Sequence, residues 1–153
     1  RNGKEAGLAR ALRRLTDAEC PKAGKFTTGQ ESEVIWSGPG QWLIVTPHPD
    51  VVATLALELA DLAAVTDQSD ARAILRLSGA HARDVLAKGC LIDLHPRAFQ
   101  PGAVALTSIS HIGVQSWQVD DTPSYDVAVP RSMIGSFWSW FEASAAEFGY
   151  SVE

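Results

Sequence analysis

The sequence predicts an α+β fold: a single domain with a mixed, mostly antiparallel sheet and helices on one face. Three observations point there. Short runs rich in Val, Ile and Trp are bounded by Gly and Pro, as at Val34-Ile35-Trp36 and Trp42-Leu43-Ile44-Val45. Helix-periodic segments return between groups of such runs instead of alternating with them one for one. The 153 residues suffice for one domain, and 46% of them are hydrophobic and available for a core.

Taken in order, Ala6 to Leu15 has the pattern of a short amphipathic helix. Thr16 to Ser32 is polar and punctuated by Pro21, Gly24 and Gly29, so an extended or partly mobile loop is expected. Residues 1–33 are thus expected to form an N-terminal helix and polar loop, with residues 34–153 as the single α+β domain. The turn Ser37-Gly38-Pro39-Gly40 joins the first two strands, and Pro47 and Pro49 close the second. Asp50 is placed to cap the next helix, whose Val51, Val52, Leu55, Leu59 and Leu62 share a face. Leu57 falls on the opposite side and is a candidate partner contact.

Two strands are expected at Val65-Thr66 and Ala73–Leu77. Ser78 should then cap a helix from Gly79 to Lys88, and Gly89 should stop it. A stretch holding Pro96 and Pro101 leads to strands near Val104–Ile109, Val114–Val119 and Tyr125–Val129. Asp120 to Ser124 is the hairpin loop between the last two. A helix from about Ser132 to Phe148 ends the order, which is α-ββ-α-ββ-α-βββ-α. Around that last helix Phe137, Phe141, Phe148, Ile134 and Ala145 centre an apolar arc. Trp138 and Trp140 lie at its edges, about 160° apart. Either both indoles wrap the sheet margin, or one is an anchor for a protein partner, a role in which Trp is over-represented.

A formal net charge of -5 and a pI near 5.3 argue against electrostatic binding of nucleic acid or an anionic membrane. The basic cluster Arg10, Arg13 and Arg14 fits the solvated face of the first helix. Cys20 and Cys90 fall outside any CxxC spacing and imply neither a disulfide nor a metal site. The N-terminal residues contain no apolar h-region, and no run reaches the roughly 18 apolar residues of a membrane span. Cytoplasm is the expected compartment.

Chemistry-bearing constellations are scarce. His48, His81, His95 and His111 form no HxH or HExxH pair, so no metal is expected. The glycine-rich turn at residues 37–40 lacks the length and the Lys of a phosphate loop. No GxSxG elbow is present. Asp67, Asp70, Asp93, Asp120, Asp121 and Asp126 sit where turns and caps use Asp, which is weak ground for an acid/base pair. No catalytic residue is assigned.

One set of ordered blocks is more specific than any of these motifs. It comprises Trp36-Ser37-Gly38-Pro39-Gly40-Gln41-Trp42, Asp67-Gln68-Ser69, Leu77-Ser78-Gly79, Lys88-Gly89-Cys90 with Leu91 to Pro96, Phe99 to Gly102, and Tyr125 to Ser132 before an aromatic helix. Over roughly residues 34–148 the chain resembles the gamma subunit of heterotetrameric sarcosine oxidase. That family is similar in turn to the folate-binding aminomethyltransferases of the glycine cleavage system. The resemblance implies an aminomethyltransferase folate-binding-domain-like fold and a small non-catalytic subunit, with alpha, beta and delta subunits as partners. FAD, FMN, NAD and tetrahydrofolate are implied for those larger subunits and none for this chain alone. The alternative is a free-standing folate or small-ligand binding module. Where aminomethyltransferases carry Gly-Gly and an Asp pair, this chain reads His111-Ile112-Gly113-Val114-Gln115-Ser116-Trp117, without a carboxylate. Folate chemistry by this chain alone is therefore not expected, and Asp93 or Asp126 would have to replace the missing group.

Overall fold

A computed structural model describes residues 3–153. The chain divides into two compact units between Gln68 and Ser69. The division predicted between residues 33 and 34 falls inside the first of these, at the start of a strand. The single predicted sheet is two sheets, and every strand pair in both is antiparallel.

The first unit contains α1 (Glu5–Thr16), β1 (Phe26–Thr28), β2 (Glu33–Gly38), β3 (Gln41–Val45) and α2 (Val51–Glu58). Its strands pair in the order β1-β2-β3, with Phe26 opposite Ile35 and Trp36 opposite Trp42. The predicted Pro-Gly turn forms, with Gly40 at φ 67, a left-handed conformation that costs glycine little. Leu8 and Leu12 of α1 bury against Leu55 of α2 and Leu59 just beyond it, with Trp42, Ile44, Leu62 and Val65 packed around them. Burial of each such Leu contributes roughly 1.5–3 kcal/mol.

Three expectations for this unit are corrected. The stretch from Thr16 to Ser32 is not all loop, because Phe26–Thr28 extends the sheet as β1. It is also anchored: the Thr16 hydroxyl donates to the Leu12 carbonyl at 2.8 Å, and the Gly29 amide donates to the Ser32 carbonyl at 2.7 Å. Asp50 makes no side-chain cap; its backbone is already helical (φ -66, ψ -18), so its carboxylate is not presented to the first turn. Val65-Thr66 forms no strand, and Val65 packs on the helix cluster instead.

The second unit contains β4 (Arg72–Ser78), α3 (Ala82–Ala87), β5 (Val104–Ile109), β6 (Ile112–Asp120), β7 (Ser124–Pro130), a 3₁₀ turn (Arg131–Met133) and α4 (Ile134–Ala145). Strand order is β4-β7-β6-β5. Pairing of Leu77 with Tyr125 and Leu75 with Val127 puts alternate residues of both strands on one face. There Ile109, Ile112, Val114, Tyr125, Val127 and Val129 meet Ala82 and Leu86 of α3 and Phe137 of α4 in one core. Helices on one face are thus found for this sheet. The reverse face carries Gln115, Trp117 and Ala128 with no exposed surface.

Two predicted helix signals act differently. Ser78 is the last paired residue of β4, opposite Ser124, so it cannot cap. Instead, the Ala82 amide donates to the Gly79 carbonyl at 3.0 Å and α3 starts three residues later than predicted. Gly89 lies past the end of α3 but not in the left-handed region that would stop a helix. Its missing side chain serves a contact with α4, described below.

Candidate functional site

The three candidate partner contacts sit in different environments. Leu57 projects from α2 with 79% of its surface exposed. Trp138 and Trp140 are both half-buried on α4, but their neighbours differ. Trp140 packs on the Phe137 ring, centroids 5.4 Å apart, and its indole lies against Gly89. A Cβ at position 89 would fall 2.7 Å from Trp140 Cζ2 and 2.8 Å from Cε2. Glycine there is a socket, and Trp140 is consumed by its own unit's packing.

Trp138 belongs to an outer aromatic cluster. It tilts against Phe141 at 5.4 Å and meets Tyr150 edge-on at 6.1 Å. Tyr150 returns from beyond α4 to cross Phe141 as well, and its hydroxyl donates to Glu142 at 2.7 Å. That hydrogen bond is the main cause raising the Tyr150 hydroxyl above its ordinary value, since a carboxylate acceptor favours the protonated phenol. The helix end is clipped too: Lys88 donates to the Ser144 carbonyl and to Glu147, and lies 4.9 Å from the Phe148 ring centroid. His81 stacks on that ring at 4.3 Å.

The carboxylates are committed to structure. Asp93 accepts the His95 amide at 2.8 Å in a local turn. Asp126, almost fully buried, accepts two bonds of 2.7 Å from the Arg76 guanidinium. Asp120 accepts from the Thr122 hydroxyl and amide, and these bonds hold its carboxyl below the ordinary range. Asp126 is therefore taken up by Arg76, and Asp93 is tied at one oxygen to its own turn. The segment 111–117 begins at a hairpin tip, where Ser110 and His111 are both at positive φ, and from Ile112 onward it is part of β6. His48 pairs with Glu31 at 2.6 Å and His81 with Asp84 at 3.0 Å. Among the described residues no group of three or more His, Cys, Asp or Glu could hold a metal ion.

Sequence reasoning missed a second polar feature. Arg83 of α3 holds its guanidinium carbon 5.9 Å from the Tyr125 ring centroid, and Phe99 stacks against the same ring at 6.4 Å. Arg83 Nε and the Tyr125 hydroxyl are both buried without a hydrogen-bond partner. A helical Arg beside a strand Tyr has no signature in one-dimensional spacing, so no signal in the sequence could have found it.

Comparison with known proteins settles the lineage. A profile of the sarcosine oxidase, gamma subunit family matches residues 2–147. The chain belongs to that family. Its relatives include sarcosine oxidase subunit gamma of Corynebacterium sp. (strain P-1), 37% identical over 101 residues, 65% of this chain and 49% of the relative. The subunit gamma of Corynebacterium sp. (strain U-96) is 34% identical over 142 residues, 90% of this chain and 69% of the relative. The chain spans about half the length of the first of these curated relatives. Among solved structures, a chain of the heterotetrameric sarcosine oxidase from Corynebacterium sp. U-96 in complex with pyrrole 2-carboxylate superposes with a TM-score of 0.83. Identity there is 29%, covering 95% of this chain and 76% of that one. Family membership agrees with the resemblance read from residues 34–148 and extends it to the N-terminal region.

Proposed function

We propose that this chain is a small, non-catalytic subunit of a heterotetrameric sarcosine oxidase, whose larger subunits oxidatively demethylate sarcosine to glycine. The observation that carries the reading is the fold match to a chain of such a complex over 95% of this sequence. Its partners would be alpha, beta and delta subunits holding FAD, FMN, NAD and tetrahydrofolate, in the cytoplasm. No helix among the described residues is long and apolar enough to cross a membrane, which is compatible with that compartment. The kinship with aminomethyltransferase folate-binding domains would concern architecture; the Arg76 pairing of buried Asp126 and the lack of a carboxylate in residues 111–117 speak against inherited folate chemistry.

Trp138 and Leu57 are the better partner contacts in this reading. Trp140 is already used as a packing element against Gly89, whereas the Trp138 cluster is an aromatic surface only partly closed by Tyr150. The test is purification of a tagged chain from its native host, with cofactor analysis of whatever is retained. Larger subunits carrying flavin should co-purify with it. A chain that is retained alone, or that is itself yellow and oxidises sarcosine, would refute the proposal.

A further inference from the structure

The four-stranded sheet of the second unit has two edges, and they are finished differently. β4 carries Arg72 and Arg76, charges of the kind that keep an edge from pairing with a foreign strand. β5, at the other end, has no charge and no proline, and its ladder to β6 has no bulge. Part of that bare edge is already taken. The Leu91 amide donates to the Ser108 carbonyl at 3.3 Å and the Ser110 amide to the Gly89 carbonyl at 3.0 Å, so residues 89–91 begin a fifth strand antiparallel to β5. It goes no further, because the chain bends at Leu91 and Ile92 and Ile92 packs on the helix-covered core. These two bonds also fix the phase of the edge. Outward-pointing groups recur at every second residue of an antiparallel strand, so the backbone N–H and C=O of Leu106 and Val104 point outward like those of Ser108. Ala105 and Thr107 turn theirs inward, to Ser116 and Val114. Among the described residues, no backbone hydrogen bond from outside the sheet reaches Leu106 or Val104.

Side chains mark the same place. Cys90 and Ile109, opposite each other, face the core, so Leu91 and Leu106 both lie on the reverse side. Leu91 is 80% exposed and Leu106 48%. In this register Leu91 stands opposite Ser108, and the position opposite Leu106 is the one the chain would have reached had it not bent. A side chain there would sit between the two leucines. We propose that residues 104–107 of β5 are a docking edge for an extended segment of a partner subunit. That segment continues the strand begun by residues 89–91 and sets an apolar side chain opposite Leu106. The backbone offers donors and acceptors at strand spacing, which another extended chain matches, and the two leucines select an apolar residue over a charged one. The occupant rests on the subunit reading above. A second copy of this chain is the poorer fit, since pairing β5 with β5 antiparallel brings residues 89–91 of each copy toward the other.

Hydrogen exchange and a pull-down test this together. In the isolated chain the Leu106 amide should exchange roughly tenfold or more faster than the Ala105 and Thr107 amides beside it, which the ladder protects. In the complex purified on a tagged chain from the native host, the Leu106 amide should slow to match them. Leu106→Pro removes an outward N–H that the ladder to β6 does not use, and Leu106→Lys sets a charge where an apolar neighbour is expected. Both variants should unfold near the wild-type midpoint while retention of the larger subunits falls about tenfold, the scale of one or two lost hydrogen bonds. Thr107→Pro, which deletes an inward bond, should unfold early. Should Leu106→Pro fold poorly, Leu106→Lys decides, because it leaves the backbone intact. A Leu106 amide already slow in the dilute isolated chain overturns the proposal, since the edge would then be covered from within. So does a Leu106 amide that slows only as the isolated chain is concentrated into a dimer, which would make a second copy the occupant. Wild-type retention undiminished in both Leu106 variants defeats this proposal alone, whereas a wild-type chain that retains no larger subunit defeats the subunit reading and this occupant with it.

Discussion

Replacing Gly89 with Ala adds a single methyl group, and two opposed effects decide the result. Gly89 is outside the left-handed region, so an Ala can adopt its backbone conformation. Restricting the unfolded chain in this way would stabilise the protein by about 0.4–1 kcal/mol. Against this, the new carbon would lie 2.7, 2.8 and 2.9 Å from three atoms of the Trp140 indole. Ordinary contact begins near 3.5 Å, so the ring must move by most of an ångström although it also packs on Phe137. Overpacking of this kind costs about 1–3 kcal/mol, which exceeds the entropic gain. Gly89→Ala should therefore lower the unfolding free energy by about 1–2 kcal/mol, measured by urea denaturation with an unchanged m value. The double variant Gly89→Ala with Trp140→Leu should recover most of the loss relative to Trp140→Leu alone, because the ring that clashes is gone. A Gly89→Ala chain as stable as the wild type, or a double variant with strictly additive losses, would show that the indole is not seated on that glycine.

Arg76→Ala should destabilise the chain by about 1.5 kcal/mol, the low end for hydrogen bonds to a charged group because Arg76 is itself largely exposed, while Asp126→Asn should cost less by leaving no buried charge; equal losses in urea denaturation would contradict this. Asp120 should titrate below its ordinary value of 3.8, so the turn it holds is fully supported above that pH and loosens as pH falls through the depressed value, seen by NMR as faster exchange of the Thr122 amide in acid. Trp140→Ala should cost the isolated chain about 2–3 kcal/mol, below the value for a fully buried indole, and leave partner retention near normal. Trp138→Ala should do the reverse, weakening retention by about 2 kcal/mol or more in a pull-down, and a Trp138→Ala chain that unfolds first would remove it as an anchor.

Local signals carried much of the architecture. The meander from Val104 to Pro130 was legible because each of its strands neighbours the next in sequence and turn residues separate them. The Pro39-Gly40 and Asp120–Ser124 turns were legible for the same reason. Phe26–Thr28 was not, since three residues between Gly24 and Gly29 become a strand only by pairing with Glu33–Ile35. Val65-Thr66 is the converse: β-branched residues that find no partner strand, Val65 packing on a helical core instead. Ser78 and Gly89 were misassigned because cap chemistry is a local expectation, and each was overridden by a contact 46 or 51 positions away, with Ser124 and Trp140. At the candidate site, the two edge indoles of the final helix look equivalent on a helical wheel. Only the position of Gly89 separates a packed ring from an available one.

The strand order β4-β7-β6-β5 also has a temporal consequence. β5, β6 and β7 are joined by turns of two and three residues, so that hairpin pair can zip up with little loop-closure entropy. β4 reaches its place only when Arg76 finds Asp126, 50 positions further along the chain, with α3 and the Pro-bounded stretch held in the closing loop. The second unit is therefore expected to assemble from its C-terminal meander, with β4 arriving last. Substitutions in β6 and β7 should slow refolding, whereas those in β4 should mainly hasten unfolding. A nucleus centred on β4 in refolding kinetics would reverse that order. While β4 is still absent, the edge of β7 that it will occupy stands open, so the nascent chain passes through an interval in which a foreign strand could take its place.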